Sequence, residues 1–108
     1  MQAAADAVRA QWGGAYALIN NAGLLRPGGL ADVSLDDWNA VLAVNLTGYL
    51  LCARAFGADM RQAGEGSIVN VASISGLFPQ SASGAYSASK AGVLQMSRQL
   101  ALEWGPLG

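Results

Sequence analysis

The chain has 108 residues, enough for one domain with a modest core and no more. Hydrophobic residues make up 53% and charged residues 12%, so the chain has little polar surface with which to solvate itself. The net charge is -1, from six Lys/Arg against seven Asp/Glu with no basic run, which argues against a nucleic-acid partner.

Apolar stretches are broken by Asn, Asp, Arg or Gly before the roughly 18 residues a membrane span needs. Residues 1 to 20 lack a charged start followed by an apolar run. The expectation is a cytoplasmic protein with no membrane partner. Cys52 is the single cysteine; with no second thiol to pair it and no metal-sharing neighbour, it reads as a buried small hydrophobe. Histidine is absent, which removes the commonest general base and the commonest zinc ligand. Any acid/base chemistry must use other groups, and no metal site is expected.

Residues 2 to 11 are strong helix formers that stop at Gly13-Gly14, a helix-ending signal. Tyr16-Ala17-Leu18-Ile19 is a short apolar run that breaks at Asn20-Asn21-Ala22-Gly23, as a buried parallel strand running into a turn would. Residues 24 to 33, rich in Gly and containing Arg26-Pro27, read as a loop.

Ser34 with Asp37 resembles a capping box with Asp in place of Glu. It precedes Trp38, Val41, Leu42, Tyr49, Cys52 and Phe56 at helical spacing, which predicts a long helix from about 35 to 62. Gly64-Glu65-Gly66 is a turn, and Ser67 to Ala72 is a second strand rich in β-branched residues. A loop over 73 to 83 leads to a helix from about 84 to 104, closed by Gly105-Pro106. Helix, strand, helix, strand, helix implies an α/β fold with a parallel sheet and crossover helices. Two strands are too few for such a sheet, which commonly holds about five or six, so the segment reads as part of a larger doubly wound domain.

Tyr86-Ser87-Ala88-Ser89-Lys90 places a phenol and an ammonium four residues apart on one helix face. A free tyrosine is a poor base near neutral pH unless a cation favours its phenolate, and Lys90 supplies one. The structural alternative is an exposed lysine beside a half-buried tyrosine. Ser73 lies just past the carboxyl end of the second strand, where open α/β sheets bind ligands. Its hydroxyl could polarise a carbonyl oxygen or merely form a turn. Asn20 and Asn21 carry the same two readings. Asn45 interrupts the apolar stripe, so its amide faces inward and needs partners; it ties a helix to a neighbouring strand or holds a relay water.

Together these residues resemble the short-chain dehydrogenase/reductase family over essentially the whole chain. Asn20-Asn21-Ala22-Gly23 looks like the family's motif after its fourth strand, and Val44-Asn45-Leu46-Thr47-Gly48 like the segment with its active-site Asn. Ser67 to Ser73 looks like the fifth strand running into the catalytic Ser, 13 residues before Tyr86, and Tyr86 and Lys90 match Tyr-x-x-x-Lys.

The resemblance implies a Rossmann-type fold and reversible hydride transfer between a secondary alcohol and a ketone, with NAD or NADP as cofactor. It implies that Tyr86 is the acid/base, that Ser73 orients the substrate oxygen, and that Asn45 anchors a water relay. By the same resemblance Lys90 holds the ribose hydroxyls and favours the phenolate, while Asn21, Ala22 and Gly23 shape the cofactor side of the cleft. A homodimer or homotetramer is implied as well.

Nothing in the chain resembles the family's opening Gly-rich phosphate turn, the residue that selects NAD or NADP, or the final strand and substrate lid. The 108 residues are therefore expected to form an incomplete domain out of about 250 residues. Two alternatives stand beside the enzyme reading: an inactive fragment, and a non-catalytic NAD(P)-binding regulatory protein of the same fold. Ser75, Leu77, Phe78 and Gln80 are expected to line the substrate pocket, and their mostly apolar character leans away from sugars.

Overall fold

The computed structural model describes all 108 residues. Helix α1 (Gln2–Trp12) ends at Gly13, whose φ of 82° is the left-handed conformation that a residue without a β-carbon adopts at little cost. Strand β1 (Ala17–Asn20) follows, then α2 (Leu35–Leu42), a π-helical turn (Ala43–Thr47) and α3 (Gly48–Ala63) in one continuous rod. Gly64, with φ 75°, stops α3 in the same left-handed way. Strand β2 (Ser67–Asn70), a 3-10 turn (Ile74–Gly76), α4 (Gly84–Trp104) and a last 3-10 turn (Gly105–Leu107) complete the order.

The strands pair in parallel, Ala17 opposite Ser67 through Asn20 opposite Asn70, with α2, the π turn and α3 as the crossover. The expected α/β architecture is present, with each strand boundary within two residues of its expected place. Helix α3 packs against both strands on one face of this two-stranded sheet, and α4 reaches the sheet through Ser97, which accepts from Asn70. The other face is open: Ile19 and Val69 are 65% and 50% exposed. Only 14 of the 108 residues are buried, so the core is thin and lies between the sheet and α2–α4.

Ser34 caps α2 as expected, its Oγ accepting from the Asp37 amide at 3.1 Å. The reciprocal arm of the capping box is absent, because the Asp37 carboxylate turns to Arg26 Nε at 3.6 Å. Three further expectations need correction. The rod from Leu35 to Ala63 is 29 residues long and apolar enough, by length and composition, to cross a membrane. Its stripe of Val41, Asn45, Tyr49, Ala53, Gly57 and Met60 is instead buried, as in a helix packed on a core. Gly105 does not take a left-handed cap; its φ of -52° lets the chain continue into the 3-10 turn. Cys52 is half-buried rather than buried, with its Sγ 3.3 Å from Met1 Sδ.

Candidate active site

Both strands run out at the same edge, so the segments after them meet there. The turn Asn21, Ala22 and Gly23 lies exposed past β1. Past β2, the backbone reaches Val71, whose amide still bonds to the Asn20 carbonyl at 2.9 Å, and then Ser73. The turn after Ser73 rests directly on α4: a β-carbon on Gly76 would stand 2.8 Å from the Lys90 carbonyl. Only glycine permits that approach, and it brings the Ser73 turn beside the Tyr86–Lys90 face of α4.

Lys90 is 2% exposed. Its ammonium donates to the Val71 carbonyl at 2.8 Å and to the Tyr49 hydroxyl at 3.3 Å. It also stands 5.1 Å from the Tyr49 ring centre and 5.8 Å from that of Tyr86, within the range of cation–π attraction. Burial pushes the Lys90 pKa below its usual value, and the nearby Tyr86 charge works the other way. Burial pushes the Tyr49 hydroxyl above its usual value, and Tyr86 adds to that. Tyr86 is half-buried, and no hydrogen bond from the chain engages its hydroxyl.

Ser73 Oγ accepts from the Ser75 amide at 3.1 Å. A hydroxyl used as an acceptor keeps its own proton to give, so Ser73 both forms the turn and remains a donor. No hydrogen bond joins it to Tyr86. Ser75, expected to line the pocket, is buried and donates to Gln80 Oε1 at 2.9 Å, so its hydroxyl is spent inside the loop. Leu77 and Phe78 are 63% and 61% exposed and stand free beside the site.

Asn45 is fully buried in the π turn. Its Oδ1 accepts from the Leu24 amide at 2.8 Å, and its Nδ2 donates to the Leu24 carbonyl at 3.0 Å and to Ser89 Oγ at 3.1 Å. The amide thus ties the rod to the loop after β1 and to α4, and these bonds leave it little capacity for a water. Asn20 pairs with the facing strand, donating to Asn70 Oδ1 at 2.8 Å, and Asn70 donates onward to Ser97 Oγ at 2.9 Å.

Two residues escape a reading of the sequence. Tyr49 counts there as one more apolar position in a helical stripe, and Ser89 as a spacer between Tyr86 and Lys90. A polar residue inside an apolar stripe is the one available signal, and it marks Asn45 more loudly than a tyrosine. An open cleft of about 410 Å³ lies next to the start of α4, lined by Trp38, Pro79, Gln80, Ser87 and Ala88. Another, of about 350 Å³, sits at the amino end of β2, between α3 and the end of α4, lined by Met60, Ile68, Leu100 and Trp104.

The family model described as short chain dehydrogenase matches residues 1–108, the entire chain. The chain belongs to the short-chain dehydrogenase family. It is 45% identical over 108 residues to the D-threitol dehydrogenase of Mycolicibacterium smegmatis, covering all of this chain and 42% of that protein. It is 43% identical over 106 residues to the 3-alpha-(or 20-beta)-hydroxysteroid dehydrogenase of Mycobacterium tuberculosis, covering 98% of this chain and 41% of that one. Among solved structures, a gluconate 5-dehydrogenase from Burkholderia cenocepacia in complex with NADP and tartrate superposes with a TM-score of 0.95 at 32% identity, over 99% of this chain and 42% of that one. The chain therefore spans about two-fifths of the length of these short-chain dehydrogenases, the part that brings Ser73, Tyr86 and Lys90 to one edge.

Proposed function

We propose that the full-length protein catalyses reversible NAD(P)-dependent oxidation of a secondary alcohol to a ketone. The observation that carries this reading is the buried, unpaired cation of Lys90 one helical turn from Tyr86, beside the Ser73 turn. Family membership supports it, as do the dehydrogenase names of the relatives. In this reading Tyr86 takes the hydroxyl proton in oxidation and returns it in reduction, and Ser73 donates its free proton to the same oxygen. The field of the Lys90 ammonium favours the phenolate.

The residues present fit the ribose end of a nicotinamide cofactor. Lys90 uses two of its three protons internally, leaving one for a ligand hydroxyl, and the Asn21–Gly23 turn is exposed beside it. When bound, the nicotinamide supplies or accepts the hydride. The phosphate-holding turn and the choice of NAD or NADP fall outside these residues. Asn45 contributes by fixing the rod against the loop at Leu24, and a relay water would use its backbone carbonyl rather than its committed amide. The substrate is a small alcohol or ketone, and exposed Leu77 and Phe78 favour an apolar one over a sugar. A cytoplasmic homodimer or homotetramer that covers exposed Leu51 of α3 and Leu102 of α4 belongs to the same reading.

The test is turnover of the full-length protein with NADH or NADPH against hydroxysteroids, polyols and 3-oxoacyl thioesters, followed by reduced-nicotinamide absorbance. Turnover that Tyr86→Phe abolishes supports the enzyme. Saturable cofactor binding with no turnover of any substrate would favour a regulatory binder instead.

A further inference from the structure

Tyr49 lies outside the set of residues assigned above, yet its hydroxyl sits between the two halves of the site. The residue is 2% exposed. Its hydroxyl donates to the Ala22 carbonyl at 2.6 Å, with the Val71 carbonyl a poorer acceptor at 3.4 Å. A phenol has a single proton to give. Once Ala22 takes it, the lone pairs of the oxygen are left for the Lys90 ammonium, 3.3 Å away.

The surroundings of Lys90 are otherwise neutral. From α3 the titratable group facing it is Tyr49, and from its own helix it is Tyr86. The end of β2 offers the Val71 carbonyl, and residues 73–76 (Ser-Ile-Ser-Gly) carry no charge. The chain's ion pairs join Arg9 to Asp6 and Asp59, and Arg26 to Asp37, none of them reaching Lys90. Neutral acceptors hold a buried cation in place without cancelling its charge, whereas a carboxylate there would quench the field that a neighbouring phenol could feel.

We propose that Tyr49 is a positioning residue: its hydroxyl, fixed by the Ala22 carbonyl, locks the Lys90 ammonium in the cleft and couples it to the turn after β1. The proposal rests on the oxidoreductase reading for its catalytic consequence, but not for its geometry. Burial lowers the Lys90 pKa and raises that of Tyr49, as expected of a neutral phenol beside a cation with no counterion.

The experiment labels the lysine ammonium groups of the full-length protein and follows them by NMR across pH, with Lys90→Met assigning the signal. Tyr49→Phe keeps the ring and removes the oxygen, and circular dichroism reports whether the variant folds. The expected result is a Lys90 titration moved to lower pH, and a kcat about tenfold lower with the KM for alcohol within about twofold. In the unaltered protein, the Lys90 ammonium protons exchange slowly with solvent because two of them are bonded.

An unmoved Lys90 titration in Tyr49→Phe, or fast ammonium exchange in the unaltered protein, overturns the positioning role, whether or not any alcohol is turned over. The second readout stands even if the variant fails to fold. A moved titration in a protein that oxidises no alcohol supports the role of Tyr49 and refutes the oxidoreductase reading alone.

Discussion

Gly76 stands so close to Lys90 that a β-carbon on it would lie 2.8 Å from both the carbonyl carbon and the carbonyl oxygen of Lys90. The obstacle is helix backbone, which cannot swing aside as a side chain can. Gly76→Ala therefore pushes the Ser73 turn off α4. The expected cost is about 1–3 kcal/mol of stability from overpacking, with a fall in kcat/KM of roughly 100-fold, as a displacement of about an ångström in a catalytic group produces. Denaturant midpoints and steady-state rates measure both. Unchanged kinetics would mean that the turn does not need this seat.

Ser73 is an acceptor within its own turn and a free donor outside it. Ser73→Ala is expected to lower kcat by roughly 10²- to 10³-fold, the scale of one lost oxyanion donor, and to cost about 1 kcal/mol of stability because the Ser75 amide loses its acceptor. If the stability loss dominated and kcat were preserved, Ser73 would be a turn-former only.

The contribution of Asn45 is a matter of satisfaction rather than chemistry. Truncation in Asn45→Ala leaves the Leu24 amide and carbonyl without their partners. Leu24 is half-buried, so each orphaned group costs toward the low end of about 1–3 kcal/mol, and a loss of about 2 kcal/mol is expected in urea denaturation. Gln2→Ala, at an exposed pair with Asp6, serves as the control and should stay within about 0.5 kcal/mol. Equal effects at the two positions would contradict the buried network.

Lys90 and Tyr49 drive the pH dependence of stability in opposite directions. The folded Lys90 pKa lies below the ordinary 10.5, so between the folded and unfolded values the unfolded chain binds more protons and stability rises with pH. The folded Tyr49 pKa lies above the ordinary 10.0. Its contribution is fully present below pH 10.0 and is lost as pH climbs through the folded value. Thermal midpoints of Lys90→Met should lack the alkaline rise, and those of Tyr49→Phe should lack the later fall. Parallel curves for the unaltered protein and both variants would count against the burial of the pair.

Helix ends were legible because glycines set them: Gly13 and Gly64 take left-handed angles where the apolar pattern stops. The first strand was legible as a short apolar run and the second as a β-branched one, and Tyr86 with Lys90 as a pair one turn apart. The π turn at Ala43–Thr47 was not, since one extra residue in a turn hardly disturbs a pattern with a period of 3.6. Nor was the target of the Tyr49 hydroxyl. Its ring satisfies the apolar stripe, while its oxygen finds Ala22, 27 residues away, a partner fixed by tertiary packing alone. The inward turn of the Ser75 hydroxyl is hidden for the same reason, because Gln80 folds back to accept its proton.

The asparagine pair that faces across the two strands, Asn20 beside Asn70, also polices assembly. A slip of one residue would turn the side chains of a whole strand to the opposite face and set an amide against valine, with both Asn20 and Ser97 deprived of a partner. Misaligned pairings are thereby penalised at the place where the chemistry will later depend on alignment, so the chain carries its own error check for bringing Ala22 and Val71 level with Lys90.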